Sequence, residues 1–138
     1  MQQKQRVIFV CTHNSARSQM AEGLLRTLAG ERYEVYSAGM ESTQVHPMAI
    51  KAMAEKEIDI SHHTSDHIDE YMDMDFDFVI TVCDNAKETC PYFPTNKTQS
   101  HWSLEDPAAA TGTEEQRLQK FREIRDEIEL RISKQFNL

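Results

Sequence analysis

Two short stretches of this 138-residue chain carry side chains that could do chemistry. Residues 10–18 read VCTHNSARS, a cysteine followed by an arginine six positions later. The stretch leaves an apolar run and enters an amphipathic one. A helix N-terminus presents open N–H groups and the positive end of a dipole, so it favours anions and stabilises the thiolate of a cysteine beside it. Arg17 would add a planar fork of donors over a bound anion. The backbone N–H groups of Thr12, His13, Asn14, Ser15, Ala16 and Arg17 would supply the remaining contacts. The G-x-x-x-x-G-K pattern of a nucleotide loop is absent. The competing reading is a buried cysteine beside a surface arginine, and the strand-before, helix-after context weighs against it. Residues 83–90 read CDNAKETC and hold the other two cysteines, directly after the apolar run FVITV.

These groups need elements to position them. Residues 6–10, 33–38, 77–82 and 98–103 read as strands, the last the shortest and least apolar. Residues 18–29 read as a helix with Met20, Ala21, Leu24, Leu25 and Leu28 on one face and Ser18 near its start. Pro47 opens a second helix through about residue 57, apolar at Ala49, Ile50, Met53 and Ala54. A short helix over 66–72 follows. The last helix runs over 113–135, with a stripe of Leu118, Phe121, Ile124, Ile128 and Ile132 and a capping box from Thr113 to Gln116. Strands separated by helices imply βαβ units and a parallel sheet, which binds ligands beyond the carboxyl ends of its strands. Cys11 and Cys83 each follow a strand directly, so both belong on that rim. Asp106 follows the fourth strand and reaches the same rim.

The length suggests one domain, residues 1–138, large enough for a core without disulfides. A net charge of −8 argues against nucleic-acid and anionic-membrane partners, while a locally positive site remains open to an anionic substrate. The apolar run near the N-terminus is too short for a signal-peptide core or a membrane span, so the expected location is cytoplasmic. Thiols are reduced there, and an odd count of three cysteines suits catalysis better than a disulfide framework. The C-x6-C spacing also lies outside the usual zinc patterns.

The stretch VCTHNSARSQMAEG resembles the anion loop of low-molecular-weight protein tyrosine phosphatases and of their relatives, the thioredoxin-coupled arsenate reductases. The likeness runs along essentially the whole chain, with SAG at 37–39, TSD at 64–66, VCD at 82–84 and EDP at 105–107 in the family's order. It implies a four-stranded parallel sheet flanked by helices on both faces. It implies Cys11 as nucleophile, Arg17 as oxyanion clamp, Ser18 as a hydrogen-bond partner of the thiolate and Asp106 as general acid. A protonated oxygen leaves a tetrahedral centre more easily, and Pro107 would stiffen the loop presenting Asp106. Resemblance also implies a monovalent cation, potassium or sodium, beside the loop on Asn14, Glu22, Ser37 and Asp66, whose oxygens suit a hard ion. No tightly bound cofactor is implied, and a monomer is expected.

Both branches share the loop, so the other cysteines decide between them. A phosphatase needs one catalytic thiol. Reducing arsenate takes two electrons, and the reductases of the family carry three cysteines at these positions. The implied relay has Cys83 attacking Cys11 and Cys90 attacking Cys83, with thioredoxin reducing the final pair; glutaredoxin with glutathione is the competing reductant. The implied substrate is arsenate, with phosphate and sulfate as related tetrahedral oxyanions. A helical 83–90 segment would hold its two Cα atoms about 10.5 Å apart, beyond the roughly 4.4–6.8 Å of a disulfide. The segment is therefore expected to change shape with redox state. The alternative activity is a low-molecular-weight protein tyrosine phosphatase, and a non-enzymatic oxyanion sensor is the third reading. His63 and His67 read as solvated surface residues, as do the acids between Asp69 and Asp77; His13 is a candidate substrate contact.

Overall fold

A computed structural model describes residues 4–84, 93–95 and 97–138. Four strands, β1 (Gln5–Cys11), β2 (Tyr33–Gly39), β3 (Phe78–Thr81) and β4 (Thr98–His101), form one parallel sheet in the order β2-β1-β3-β4. Three α-helices, α1 (Arg17–Ala29), α2 (Pro47–Ala54) and α3 (Glu114–Phe136), complete the frame. The period-two alternation of β1 sorts its side chains to two faces. Val7, Phe9 and Cys11 join the larger core with α1, α2 and α3, while Ile8 and Val10 join Phe76, Val79 and Phe93 on the other. That second face is covered by the short 3-10 helix Ile68–Tyr71.

Helix α3 lays Phe121, Ile128 and Ile132 fully into the core, each such side chain contributing roughly 1.5–3 kcal/mol. Its capping box is present, Thr113 Oγ1 accepting from Gln116 N–H and the Gln116 side chain from Thr113 N–H. Three sequence expectations shift. Leu28 turns to solvent at the end of α1, 45% exposed. Helix α2 stops at Ala54 rather than about residue 57 and buries Met48, Ala49, Ala52 and Met53. It stops because the chain tightens there: Lys56 and Glu57 donate to Met53 and Ala54, and Glu57 takes a left-handed φ of 62°. The helix expected over 66–72 is the 3-10 helix, begun by His67 and Glu70 as a capping box.

Asp77 ties the sheet together at the end opposite the cysteines. Its carboxylate accepts from Arg6 N–H at 2.8 Å and Lys97 Nζ at 2.9 Å, joining β1 to the approach to β4. Lys97, and secondly the Arg6 N–H, hold this group below the ordinary aspartate value of 3.8. A depressed folded-state value contributes stability above the unfolded value and loses it as pH falls through the folded one. Unfolding free energy should therefore decline on acidification below about pH 4, and Asp77→Asn should flatten the decline. Urea unfolding at about pH 5 and about pH 3 checks this, equal losses in both proteins being the contrary result.

Candidate active site

The loop from β1 to α1 is built to face its N–H groups toward Cys11. Every carbonyl from Cys11 to Ala16 is taken by a donor: Cys11 by Met40 N–H, Thr12 by Glu41 N–H, His13 by the Thr43 and Ser65 hydroxyls, Asn14 by the Gln19 amide, Ser15 by His46 N–H and Ala16 by Met20 N–H. In a trans peptide the N–H of the next residue points opposite to the carbonyl, and no peptide here is cis. Carbonyls held outward thus turn the following N–H groups inward. Asn14 demonstrates it, its N–H lying 3.1 Å from Cys11 Sγ. Asn14 adopts a left-handed φ of 49°, a conformation that asparagine tolerates better than most residues. Helix α1 then begins at Arg17 without a side-chain cap and with no acid in its first turn, leaving its positive end for an anion.

Gly39 lets β2 end against this loop. A Cβ at that position would sit 2.8 Å from Asn14 N and 2.9 Å from Thr12 O, both backbone atoms. Gly39→Ala is expected to destabilise the fold by about 1–3 kcal/mol and to weaken anion binding by displacing the loop. Thermal unfolding together with protection by phosphate checks both effects; unchanged phosphate affinity would contradict the packing argument.

Cys11 is a free thiol, buried at 2% exposure. Its sulfur lies 2.9 Å from Ser18 Oγ. Ser18 therefore serves the sulfur rather than capping α1. Arg17 is buried, with Nη1 donating to Leu104 O at 3.1 Å and Nη2 lying 3.9 Å from Asp106 Oδ2. Asp106 Oδ1 accepts Ala108 N–H at the start of the 3-10 turn Pro107–Ala109. That bond leaves Oδ2 facing Arg17 across the loop. Cys83 follows β3, is fully buried and is disulfide-bonded. Val82 N–H bonds to Val10 O, which carries the β1–β3 pairing up to the two cysteines. Cys90 and the expected change of shape over 83–90 lie outside the described residues from 85 onward. His13 stands exposed at the loop's mouth, Nδ1 3.1 Å from Glu41.

The four residues of the expected cation site come together behind the loop, but as a hydrogen-bonded set. Asn14 Nδ2 donates to Ser37 Oγ at 3.0 Å, and Ser37 Oγ donates to Glu22 Oε1 at 2.5 Å. Arg26 Nη2 donates to Glu22 Oε2 at 2.5 Å. Asp66 gives its N–H to Asn14 Oδ1 and its carboxylate receives the Thr64 and Tyr71 hydroxyls. Burial, then Asp66, pushes the Tyr71 hydroxyl well up, so it remains a donor. Each Glu22 oxygen is thus taken by the chain's own donors, one of them a guanidinium.

Some participants escape a reading of the sequence. His63, expected in solvent, has a side chain only 4% exposed and bonds to Gln19 and Arg26. His46 accepts Met48 N–H on Nδ1, caps α2 and borders the cleft that holds His13, Ser15, Thr43 and Asp106. Burial, then Arg117, lowers its pKa below 6.5. The signal was the His46–Pro47 pair, since a proline opening a helix puts the cap on the residue before it. Nothing in the sequence marks Gln19 or the Leu104 carbonyl.

The model of the low molecular weight phosphotyrosine protein phosphatase family matches residues 6–137. An arsenate reductase of Staphylococcus xylosus is 50% identical over 129 residues, covering 94% of each chain. Structures of an arsenate reductase in the oxidized state and in the phosphate binding state each superpose with a TM-score of 0.80 and 39% identity, covering 94% of this chain and 95% of theirs. A thioredoxin-dependent arsenate reductase of Corynebacterium glutamicum superposes with a TM-score of 0.70 and 28% identity, covering 97% of this chain and 61% of its own. Among the described residues no helix is long and apolar enough to cross a membrane. With a buried thiol at the centre of an inward-facing N–H loop, Arg17 and Asp106 beside it and relatives alike over nearly their whole length, the chain belongs to the low-molecular-weight phosphotyrosine protein phosphatase family.

Proposed function

We propose that this chain reduces arsenate to arsenite with its own thiols and is restored by thioredoxin. The Cys11 thiolate attacks arsenic, and an oxygen leaves as water with a proton from Asp106, giving a Cys11–S–As(V) ester. Arg17 and the loop N–H groups hold the arsenate oxygens throughout. The Cys83 thiolate then attacks Cys11 Sγ. The S–As bond breaks with its electron pair going to arsenic, so arsenic becomes As(III) as a Cys11–Cys83 disulfide forms. Attack by Cys90 on Cys83 frees Cys11. The thioredoxin dithiol reduces the Cys83–Cys90 disulfide and is itself oxidised. A reducing cytoplasm suits this cycle.

The observation that carries the reading is the free, buried Cys11 sulfur inside an anion loop, with a second cysteine on the same sheet rim. The relatives named arsenate reductases, one of them thioredoxin-dependent, support the choice of substrate and reductant. Arsenate-dependent NADPH consumption with thioredoxin and thioredoxin reductase is the test, run beside glutathione with glutaredoxin. Turnover in the thioredoxin arm is expected. No turnover in either arm together with brisk aryl phosphate hydrolysis would overturn the reading in favour of a phosphatase.

A further inference from the structure

A closed ring of side chains lies behind the nucleophile, and donor–acceptor chemistry fixes the direction of its bonds. Glu22 is a carboxylate and only accepts, so Ser37 donates to it. Ser37 Oγ then accepts from Asn14 Nδ2, and the second hydrogen of that amide goes to Ser18 Oγ at 2.7 Å. Ser18, accepting there, has its own hydrogen left for Cys11 Sγ. On the other side Arg26 donates to Glu22 at one nitrogen and faces His63 Nε2 at 3.1 Å with another. A guanidinium only donates, so His63 Nε2 accepts and its Nδ1–H donates to Gln19 Oε1 at 3.0 Å. The Gln19 amide closes the ring on Asn14 O and Oδ1.

We propose that Arg26 is a positioning residue for Cys11, its fixed charge answering Glu22 so that Glu22 and Ser37 hold Asn14, and through it Ser18, in place beside the sulfur. The guanidinium does internally what a bound monovalent cation would do at that carboxylate. Arg26 is also anchored by the Val35 carbonyl at 2.7 Å, so it is built into the sheet edge. Burial disfavours a charged His63, consistent with the accepting Nε2, and the groups facing it are Glu22, Arg26, His62 and Asp59. A carboxylate screened from water needs such a partner. Loss of Arg26 would leave the Glu22 carboxylate without its counter-charge and free to turn away. The Asn14 amide stays oriented by Asp66 N–H and Gln19 at Oδ1, but its Nδ2 loses the Ser37 contact that Glu22 holds in place.

The readout is the pH dependence of iodoacetamide alkylation at Cys11, followed by peptide mass spectrometry on the full-length reduced protein. Arg26→Met is expected to move the midpoint up by about 0.5–1 pH unit, because a hydrogen bond to the thiolate lowers its pKa. Arg26→Lys, which keeps the charge, is expected to restore most of the shift. Potassium chloride in place of choline chloride at equal ionic strength should lower the midpoint of Arg26→Met and leave wild type where it is. An unshifted Arg26→Met, or a wild-type midpoint that follows potassium, overturns the proposal. Should Arg26→Met fail to fold by circular dichroism, Arg26→Gln, which stays polar but loses the charge, takes its place and must show the same upward shift. The inference concerns the site assigned above to arsenate, but its readout uses no arsenate. Failed arsenate reduction with the shift intact would count against the activity alone.

Discussion

Replacing Cys11 by serine should abolish arsenate reduction, by at least about a thousandfold, while the protein still folds and still binds phosphate. The two halves of this expectation have different causes. A serine hydroxyl at neutral pH is far from ionised and forms no disulfide, so neither the first attack nor the later transfer of electrons can proceed. The loop, by contrast, is held from outside. Its carbonyls are bound by Met40, Glu41, Thr43, Ser65, Gln19 and His46, none of which depends on the sulfur. Arg17 is held by Leu104 and faces Asp106. Phosphate should therefore still raise the melting temperature of Cys11→Ser, as ligand binding to the native state does. Residual arsenite production by Cys11→Ser would contradict the assignment, and loss of phosphate binding would contradict the outside-held loop.

The second large effect separates the two remaining cysteines. In Cys83→Ser the arsenic ester on Cys11 has no thiol beside it, so arsenite release should fall by about a hundredfold or more even in a first turnover. In Cys90→Ser the first release should be normal, because Cys83 is intact, and the reaction should then stop with Cys11 and Cys83 joined. Rapid-quench arsenite determination distinguishes the cases: no burst in the first variant, and a burst followed by a flat line in the second. A sustained rate in Cys90→Ser with thioredoxin present would remove Cys90 from the cycle. Equal bursts in both variants would remove Cys83.

What was legible in the sequence follows from how local the governing forces are. Strand β1 and helix α1 could be read because an apolar run and a periodic helix face are local patterns, and the Cys11–Arg17 spacing lies within one loop. The capping box at Thr113 was legible for the same reason. Leu28 was misassigned because periodicity gives a face, whereas the depth at which a neighbour covers that face is tertiary. The expected exposure of His63 failed because its partners, Gln19 and Arg26, are 44 and 37 residues away. The residue pattern puts Ser18 near the helix start and the resemblance assigns its hydroxyl to the thiolate, but the pattern alone does not tell whether that hydroxyl turns to the backbone or to Cys11 Sγ, where the structure has it. The outward carbonyls depend on segments 40–46 and 65 arriving beside the loop, which the SAG and TSD stretches mark without explaining.

The most direct test of the central claim, that the protein's own thiols supply the electrons, is to mix fully reduced protein with arsenate in the absence of any external reductant. Arsenite formed and thiols lost per chain are then counted in the same sample. The account predicts one arsenite for each pair of thiols lost, after which the reaction stops. Arsenate left unreduced while all thiols remain titratable would contradict it.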